Sequence, residues 1–291
     1  MAADPYNWDA RVDAWEEVAA TDAFGVLRDR VVREAAPRRG DRVLDLGAGT
    51  GLVTLALAPL ANVTALDISR HMLERLDAHA VADGVANVDL VAGDMRSLPF
   101  DDETFDVVVS NYAFHHLDDP GKELSLSEAR RVLVPGGRLV VCDMMFSLSL
   151  KPRDRRLVLY KLRAIAARGP AGLLRIVRNA GRVATGRWER PASPETWERL
   201  LTERHFADVR IELLKEEAGL ATASRPFVPD RQNDYLTGAS CEVASGEGEH
   251  CKSDKCDGPG AERRGVRESQ PVPERIDGPV LVERRRLTER P

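Results

Sequence analysis

Three glycines at alternate positions, preceded by an acidic residue, form the first group in this chain that could bind a ligand. They are Gly47, Gly49 and Gly51, and they follow Asp45 in a nine-residue run that begins at Val43. Glycine has no Cβ atom, so its backbone can adopt positive φ and lie directly against a ligand. A helix pattern follows at 52–58, and the N-terminus of a helix offers unpaired N–H groups to polar or anionic groups. The run therefore predicts a loop for a nucleotide-like ligand at the end of a first strand.

A second carboxylate follows the next strand pattern along the chain. Asp67 ends the apolar run that begins at Val63, twenty residues after Gly47. A carboxylate at the tip of the neighbouring strand can accept hydrogen bonds from both hydroxyls of a ribose. The alternative is that Asp67 caps the helix that begins near Ser69. Because Ser69 can provide that cap itself, ribose binding is the favoured interpretation.

The glycine run with its flanks, residues 43–51, resembles motif I of the class I S-adenosylmethionine-dependent methyltransferases. The dinucleotide fingerprint differs, because its third glycine falls where this chain has Leu52. The stretch from Ala129 to Asp143 is similar to methyltransferases of small molecules, including those that act on quinone precursors. The resemblance implies S-adenosylmethionine as the cofactor. It also implies a Rossmann-like α/β fold, with a seven-stranded, mostly parallel sheet, an antiparallel last strand and helices on both faces.

The resemblance also implies roles for residues after the third and fourth strands. Asp94 would bind the adenine amino group, and Met95 would form an apolar wall against the ring. The fourth strand would deliver Asn111 to the same edge of the sheet as the glycine loop. The complete set of expected cofactor-binding residues is Asp45, Gly47, Ala48, Gly49, Gly51, Asp67, Ile68, Asp94, Met95 and Asn111.

Two adjacent histidines, His115 and His116, follow the fourth strand and are the candidates for a general base. The methyl group of a sulfonium is already a good electrophile, so placing the acceptor supplies much of the rate. A base is needed only when the nucleophile arrives protonated. The alternative for both histidines is a packing or hydrogen-bonding role in the loop. The chain has no Asn-Pro-Pro-Tyr run, which favours methylation of a small molecule at carbon or oxygen.

Alternating strand and helix patterns are expected to position these residues. Strand patterns lie at Val43–Leu46, Val63–Asp67, Val88–Ala92, Phe105–Ser110, Arg138–Asp143, Phe206–Leu214 and Ala218–Arg225. Residues 1–40 are expected to form an N-terminal helical cap, in which Tyr6, Trp8 and Trp15 either pack in the core or line the pocket. Residues 41–226 are expected to form the methyltransferase domain.

The segment 151–190 is strongly basic, with twelve Lys or Arg residues against Asp154 and Glu189. Its apolar residues recur at helical spacing, so it predicts one or two basic amphipathic helices inserted between the fifth and sixth strands. Three interpretations stay open: a solvated face, a cap over an anionic substrate, or contact with an anionic membrane surface.

Composition limits the remaining possibilities. The chain is 43% apolar, which is enough for a core, and its net charge of −5 argues against general affinity for nucleic acid. No apolar run is long enough to span a membrane, and the first residues do not resemble a signal peptide, so a cytoplasmic location is expected. The four cysteines do not form a disulfide framework, and Cys241, His250, Cys251 and Cys256 are not expected to form a metal site. Residues 227–291 carry 24 charged residues and two aromatic ones, which predicts a disordered tail.

Two other functions remain possible from the sequence. A nicotinamide-dependent oxidoreductase would share the first strand, the glycine loop and the ribose carboxylate, but Leu52 and the Gly93-Asp94 pair argue against it. A domain of methyltransferase type could instead bind the cofactor without catalysis, as a regulatory or assembly protein.

Overall fold

The fold is centred on a mixed β-sheet in the computed structural model, which describes residues 7–147, 151–167, 169–170, 174, 181, 190–214, 217–227 and 282–283. The strands are β1 Arg42–Leu46, β2 Asn62–Asp67, β3 Val88–Ala92, β4 Phe105–Asn111, β5 Leu133–Met144, β6 Ala207–Leu213, β7 Ala218–Ser224 and β8 Val282–Glu283. Their order across the sheet is β6-β7-β5-β4-β1-β2-β3-β8.

Strands β5, β4, β1, β2 and β3 lie side by side and are parallel. β7 lies antiparallel between β5 and β6. The prediction of a mostly parallel, Rossmann-like sheet of seven strands with an antiparallel last strand is therefore confirmed. β8 adds two residues at the opposite edge, antiparallel to β3. The rest of the predicted tail lies outside the described residues, apart from Phe227.

The helices cover both faces of the sheet. They are a 3₁₀ turn at Trp8–Arg11, α1 Val12–Ala19, α2 Asp22–Ala35, α3 Thr54–Leu57, α4 Arg70–Ala82, a 3₁₀ turn at Phe114–His116, α5 Asp119–Val132, α6 Pro152–Ala166 and α7 Pro194–Glu203. Side chains cap three of them, because Ser69, Asp118 and Ser193 each accept a hydrogen bond from a backbone N–H of the first turn. None of the helices in the described ranges is long and apolar enough to cross a membrane.

Two sequence expectations about local structure were wrong. The helix expected at 52–58 is shortened to the four residues of α3, because Gly51 has φ 95° and the chain turns before the helix begins. The turn expected at Val134–Gly137 belongs to β5. There the N–H of Gly136 donates to the carbonyl of Arg225, and the N–H of Arg225 donates to the carbonyl of Gly137, so strand pairing continues past β7 (2.8 Å each).

The hydrophobic core has one large cluster on each face of the sheet, and Met144 and Phe146 form a third, small cluster. Leu44 and Leu46 of β1 pack on the face covered by α5 and α7, where Trp197 and Phe114 are buried. Val43 packs on the opposite face, which α2, α3 and α4 cover. A strand buried on both faces needs apolar residues at nearly every position, and this explains why β4 is an almost continuous apolar run. The core fixes the carboxyl ends of the parallel strands, and the candidate site lies at those ends.

Candidate functional site

A cavity of about 260 Å³ lies at the carboxyl ends of β1, β2, β3 and β4. The structure brings eight of the predicted site residues together in its lining: Gly47, Gly49, Asp67, Ile68, Asp94, Met95, Asn111 and His116. The lining does not include the other four, Asp45, Ala48, Gly51 and His115. Open α/β sheets bind ligands at this edge, so the cavity is the candidate site.

The glycine loop approaches the end of β4 so closely that no side chain fits at its first position. Gly47 has φ 70°, and a Cβ atom built there would lie 2.5 Å from the Cβ of Ala113. The loop amides, however, are bonded within the protein. Gly47 and Ala48 donate to the carbonyl of Leu66 (2.8 and 3.1 Å), and Gly51 donates to that of Ala48 (3.0 Å). These three amides are therefore satisfied within the protein, and the predicted contacts of Gly47, Ala48 and Gly51 with a cofactor stay predictions.

Asp45 lies beneath the loop and not against the cavity. It is 1% exposed, and one of its carboxylate oxygens accepts a hydrogen bond from the Thr54 hydroxyl at 2.6 Å. Burial raises the pKa of Asp45 to about 7, and the nearby charge of Asp67 acts in the same direction. The residue connects β1 to the start of α3. Its predicted cofactor contact stays a prediction.

Asp67 is placed at the edge of the cavity as the spacing suggested. Its two carboxylate oxygens accept hydrogen bonds from the N–H of Gly49 at 2.8 Å and the N–H of Ser69 at 2.9 Å. The cap of α4 is the hydroxyl of Ser69, which accepts from the N–H of Met72 at 3.1 Å. Each carboxylate oxygen has more than one lone pair, so Asp67 can hold the loop and still accept from ligand hydroxyls.

The end of β3 supplies a polar group and an apolar wall. Nε of Arg96 donates to both carboxylate oxygens of Asp94 at 3.0 Å, and this fork raises the pKa of the guanidinium. Met95 approaches the loop, with its Cε 3.2 Å from where a Cβ of Gly47 would be. Ile68 and Met72 add to the apolar lining.

The two histidines have different environments. His115 is 5% exposed, and its Nδ1 lies 2.6 Å from a carboxylate oxygen of Asp143 in β5. This contact fits a buried His115 that donates to Asp143, and it supports the packing alternative for that residue. His116 lines the cavity, where its ring lies 4.6 Å from that of Trp8.

Burial lowers the pKa of His116 to about 2, and the positive charges of neighbouring residues add to the effect. His116 is therefore a neutral imidazole at physiological pH. It can accept or donate a hydrogen bond in the cavity without carrying charge.

The N-terminal segment forms the wall opposite the strands. Trp8 and Trp15 both line the cavity, and Tyr6 lies outside the described residues. The segment is held to α4 by a set of contacts that we call the acidic clasp. It consists of Asp9 with Ser69 and His71 (2.6 and 3.1 Å), Asp13 with Arg75 (3.0 Å), and Glu16 with Arg75 and His79 (3.1 Å to His79).

Several lining residues were not among the site residues predicted from the sequence. They are Leu66, Met72, Gly93, Arg96, Tyr112, Ala113, Leu117, Asp118 and Arg190. Most of them lie within three residues, along the sequence, of a predicted site residue. This proximity is the signal that could have identified them. Arg190 carried no such signal. It reaches the site because its backbone N–H donates to the carbonyl of His115 at 2.7 Å. No group of three potential metal ligands occurs in the part of the chain that the structure describes.

Residues 43–137 match a family model described as a methyltransferase domain. A demethylmenaquinone methyltransferase of Clavibacter sepedonicus is 42% identical over 130 residues, which cover 44% of this chain and 51% of that protein. A ubiquinone/menaquinone biosynthesis C-methyltransferase of a Ruegeria species is 35% identical over 157 residues, which cover 53% and 60%. The chain thus spans about half the length of these curated relatives.

The fold has counterparts among solved structures. The crystal structure of an S-adenosylmethionine-dependent methyltransferase from Aquifex aeolicus superposes with a TM-score of 0.52 and covers 74% of this chain and 97% of that one. The two chains are 18% identical, so this similarity bears on the fold alone.

Proposed function

We propose that this chain, which carries a methyltransferase domain of the class I S-adenosylmethionine-dependent type, transfers a methyl group from that cofactor to a small-molecule acceptor. The observation that carries the proposal is the cavity along the ends of four adjacent strands. Its lining holds a close-approach glycine loop, a carboxylate at the tip of β2 and an apolar wall after β3. These are the groups that an adenosine with a charged amino-acid end requires.

The residues present fit the cofactor. Asp67 would accept from the ribose hydroxyls, and Ile68 and Met95 would pack against the adenine ring. Asp94 would accept from the adenine amino group while Arg96 holds its carboxylate in place. When bound, S-adenosylmethionine supplies an electrophilic methyl group on a sulfonium. The residues of the chain then have to orient the acceptor and exclude water.

The acceptor would lie between the N-terminal segment and the loop after β4. Trp8, Tyr112, Leu117 and His116 line this part of the cavity. Tyr112 has φ 57°, and a bulky residue in the left-handed region is a form of strain that concentrates at functional sites. Aromatic walls favour a planar acceptor, and neutral His116 would accept a hydrogen bond from an acceptor hydroxyl. The relatives named for quinone C-methylation support methylation at carbon; methylation at oxygen is the second candidate.

A methyl-transfer assay tests this function. We expect the protein with labelled S-adenosylmethionine to transfer label to a hydroxylated aromatic acceptor such as a demethylated quinol. The Asp67→Ala variant should lose cofactor affinity, and Arg70→Ala on the exposed start of α4 is its matched control. Binding of S-adenosylhomocysteine without transfer to any acceptor would favour the alternative of a non-catalytic regulatory protein. Binding of NAD in place of S-adenosylhomocysteine would favour the oxidoreductase alternative.

Contact with an anionic membrane is a further part of the proposal, and it would bring the site to lipophilic acceptors. On α6, Leu159 and Tyr160 are 47% and 58% exposed, and Arg155, Arg156 and Arg163 lie on the same exposed arc. The acid of this helix does not neutralise the arc, because Asp154 is 5% exposed and accepts from the Ser147 hydroxyl at 2.7 Å. Exposed apolar residues flanked by arginine are typical of helices that lie in a membrane interface. The remainder of the predicted basic insertion lies largely outside the described residues.

Vesicle co-sedimentation tests the membrane contact. We expect binding to vesicles that contain anionic lipid, and weaker binding by the Arg156→Glu/Arg163→Glu variant. The Arg28→Glu/Arg33→Glu variant makes the same charge change on α2 and should bind as the wild type does. Absence of binding at low salt, or equal binding to neutral vesicles, would refute the contact. The cytoplasmic location stays a prediction.

A further inference from the structure

The lining of the cavity contains three carboxylates, Asp67, Asp94 and Asp118. In the proposed function the first two bind the cofactor at the ends of β2 and β3. Asp118 lies instead in the loop between β4 and α5, and it lines the acceptor half of the cavity together with His116 and Leu117. It is therefore the carboxylate of the described lining that remains for the acceptor.

One oxygen of Asp118 is fixed by the first turn of α5. Its Oδ1 accepts a hydrogen bond from the N–H of Gly121 at 2.9 Å and so caps the helix. A Cβ atom built at Gly121 would lie 2.8 Å from this oxygen, so the contact needs a residue without a side chain. Because Oδ1 is held against the helix, the second oxygen, Oδ2, has a fixed position at the edge of the cavity.

The second oxygen faces Arg190 across a gap. The backbone N–H of Arg190 donates to the carbonyl of His115 at 2.7 Å, which brings its side chain to the cavity. Nη1 of Arg190 lies 3.8 Å from Oδ2 of Asp118, which is longer than a hydrogen bond. Arg199 and Glu203 of α7 are a contrast, because they are similarly exposed but lie 2.8 Å apart and outside the cavity lining. The Asp118–Arg190 pair therefore leaves room for a ligand atom between its charged groups.

Other charged groups face the same carboxylate. They are Arg96, in the loop after β3, and Lys122, on α5. The pKa of Arg96 is raised by its hydrogen bonds to Asp94 and, to a smaller extent, by the charge of Asp118. Burial lowers the pKa of Lys122, and the charges of Asp118 and Arg190 act on it in opposite directions. Cations from three segments thus lie around this place, and they favour an oxygen that becomes negative there.

The gap matches the chemistry of a hydroxyl group. A hydroxyl can donate a hydrogen bond to Oδ2 of Asp118 and accept one from Nη1 of Arg190. One oxygen atom can reach both, because two hydrogen bonds of about 2.8 Å span the 3.8 Å between them. A carboxylate would be repelled by Asp118, and an ammonium group would be repelled by Arg190. A hydroxyl is therefore the group that satisfies both partners.

His116 does not compete for the proton of such a hydroxyl. Burial lowers the pKa of His116 to about 2, so its ring is a weaker base than an ordinary carboxylate. Both sites line the same half of the cavity. An acceptor with two hydroxyls, such as a quinol, can place one against His116 and the other between Asp118 and Arg190.

We propose that Asp118 and Arg190 bind a hydroxyl group of the methyl acceptor, and that Asp118 takes its proton while Arg190 stabilises the oxygen that becomes negative. The proposal rests on the proposed function for the reaction itself. The O–H bond breaks, its proton passes to Oδ2 of Asp118, and its electron pair stays with the acceptor. In O-methylation this oxygen bonds to the methyl group, the electrons of the methyl–sulfur bond pass to sulfur, and Asp118 later releases the proton to water.

In C-methylation the hydroxyl need not lie beside the methyl group. A ring carbon conjugated with the negative oxygen bonds to the methyl group, and the electrons of the methyl–sulfur bond again pass to sulfur. The carbon then releases its own proton to water, and the oxygen regains a proton from Asp118. The pair can thus activate the ring from the edge of the cavity.

Two probes with opposite charge demands test the pair without turnover. In the presence of S-adenosylhomocysteine and at the same mildly alkaline pH, 1-naphthol is a neutral hydroxyl compound and 4-nitro-1-naphthol is ionised. We expect Asp118→Asn, whose amide oxygen still caps α5, to bind 1-naphthol about threefold more weakly or worse, because a charged acceptor is lost. The same variant should bind the ionised probe more tightly than wild type, because a like charge is removed.

Arg190→Met should show the opposite preference. It should bind the ionised probe at least about tenfold more weakly, because the cation that faces the negative oxygen is lost. Asp119→Asn, on the next residue, and Arg199→Met, at an arginine as exposed as Arg190, are the matched controls and should bind both probes as wild type does. Titration calorimetry provides the affinities. Asp118→Asn that weakens both probes, or variants that all match wild type, would overturn the proposal.

The proton transfer has its own readout in the pH dependence of kcat. We expect Asp118→Asn to lower kcat for a hydroxylated acceptor about a hundredfold at neutral pH. Its kcat should then rise about tenfold per pH unit towards the pKa of the acceptor hydroxyl, because solvent takes the proton instead, while wild-type kcat changes little. An Asp118→Asn profile parallel to that of wild type would overturn the role of Asp118 as proton acceptor. Wild-type protein that transfers label to no acceptor, but gives the opposite probe preferences, would refute the proposed function and support the hydroxyl site.

Discussion

Replacing Gly47 with alanine should push the glycine loop away from the end of β4. Gly47 has φ 70°, and an alanine held in the left-handed region costs about 1–2 kcal/mol. The added Cβ would stand 2.5 Å from the Cβ of Ala113, whereas two carbons prefer about 3.5–4.0 Å. Relieving such a contact in a packed region typically costs a further 1–3 kcal/mol or so. The total of about 2–5 kcal/mol is a large part of the stability of an ordinary domain.

The chain offers a matched control for the backbone part of that cost. Gly84 has φ 69°, nearly the same conformation, but a Cβ built there meets nothing within 4 Å. Gly84→Ala should therefore lower the free energy of unfolding only by the cost of the left-handed backbone conformation, about 1–2 kcal/mol. Adding Ala113→Gly to Gly47→Ala removes the contact while the unfavourable φ remains. The double variant should thus recover part of the loss.

Urea unfolding provides the free energies, and binding of S-adenosylhomocysteine reports on the geometry of the loop. We expect Gly47→Ala to be less stable than Gly84→Ala and to bind the ligand more weakly. Equal stability of these two variants would refute the close approach of the loop to Ala113. A double variant no more stable than Gly47→Ala would do the same, because the two changes should be coupled.

Three further predictions concern the protonation of two residues and the acidic clasp. Burial raises the pKa of Asp45 from 3.8 to about 7, so its contribution to stability is complete below about pH 4 and is lost as the pH rises through about 7. In the wild type the free energy of unfolding should therefore fall by about 4 kcal/mol over this pH range. Asp45→Asn, whose side-chain oxygen can still accept from Thr54, should not show this fall in unfolding measurements, and the same pH dependence in both proteins would contradict the prediction. Burial lowers the pKa of His116 to about 2, so His116 does not titrate between about pH 5 and 9. His116→Ala should therefore reduce turnover without moving the pH–rate profile in that range. A shift of the acidic side of the profile would contradict this prediction. Arg75→Met removes the central residue of the acidic clasp and should speed dissociation of S-adenosylhomocysteine in stopped-flow measurements, whereas Arg70→Met should not; equal rates would refute a role for the clasp.

The residues that follow strand ends could be predicted because their position depends only on chain order. Gly47 follows the first apolar run, Asp67 ends the second, and Asp94 lies two residues after the third. Parallel strands bring such positions to one edge of the sheet. The identity of the cofactor was implied by the resemblance of residues 43–51 to motif I of the methyltransferases.

Side-chain direction could not be predicted from the pattern. Nothing in the adjacent pair His115-His116 says that one ring turns towards Asp143 and the other towards the cavity, because that depends on the distant strand β5. The sequence predicts that Asp45 belongs to the ligand loop. In the structure its side chain lies beneath the loop, where it accepts a hydrogen bond from Thr54. The indole N–H of Trp15, which has no acceptor among the described residues, is brought beside Gly49 by the fold of the N-terminal segment, and the sequence pattern does not show this.

The acidic clasp has a consequence for the order of events at this site. The same short segment carries Trp15 against the glycine loop and Trp8 against His116, so one wall closes both the cofactor half and the acceptor half of the cavity. In the proposed reaction, opening of that wall would release both products. We therefore expect the departures of the methylated product and the spent cofactor to share one rate constant, with the same dependence on ionic strength.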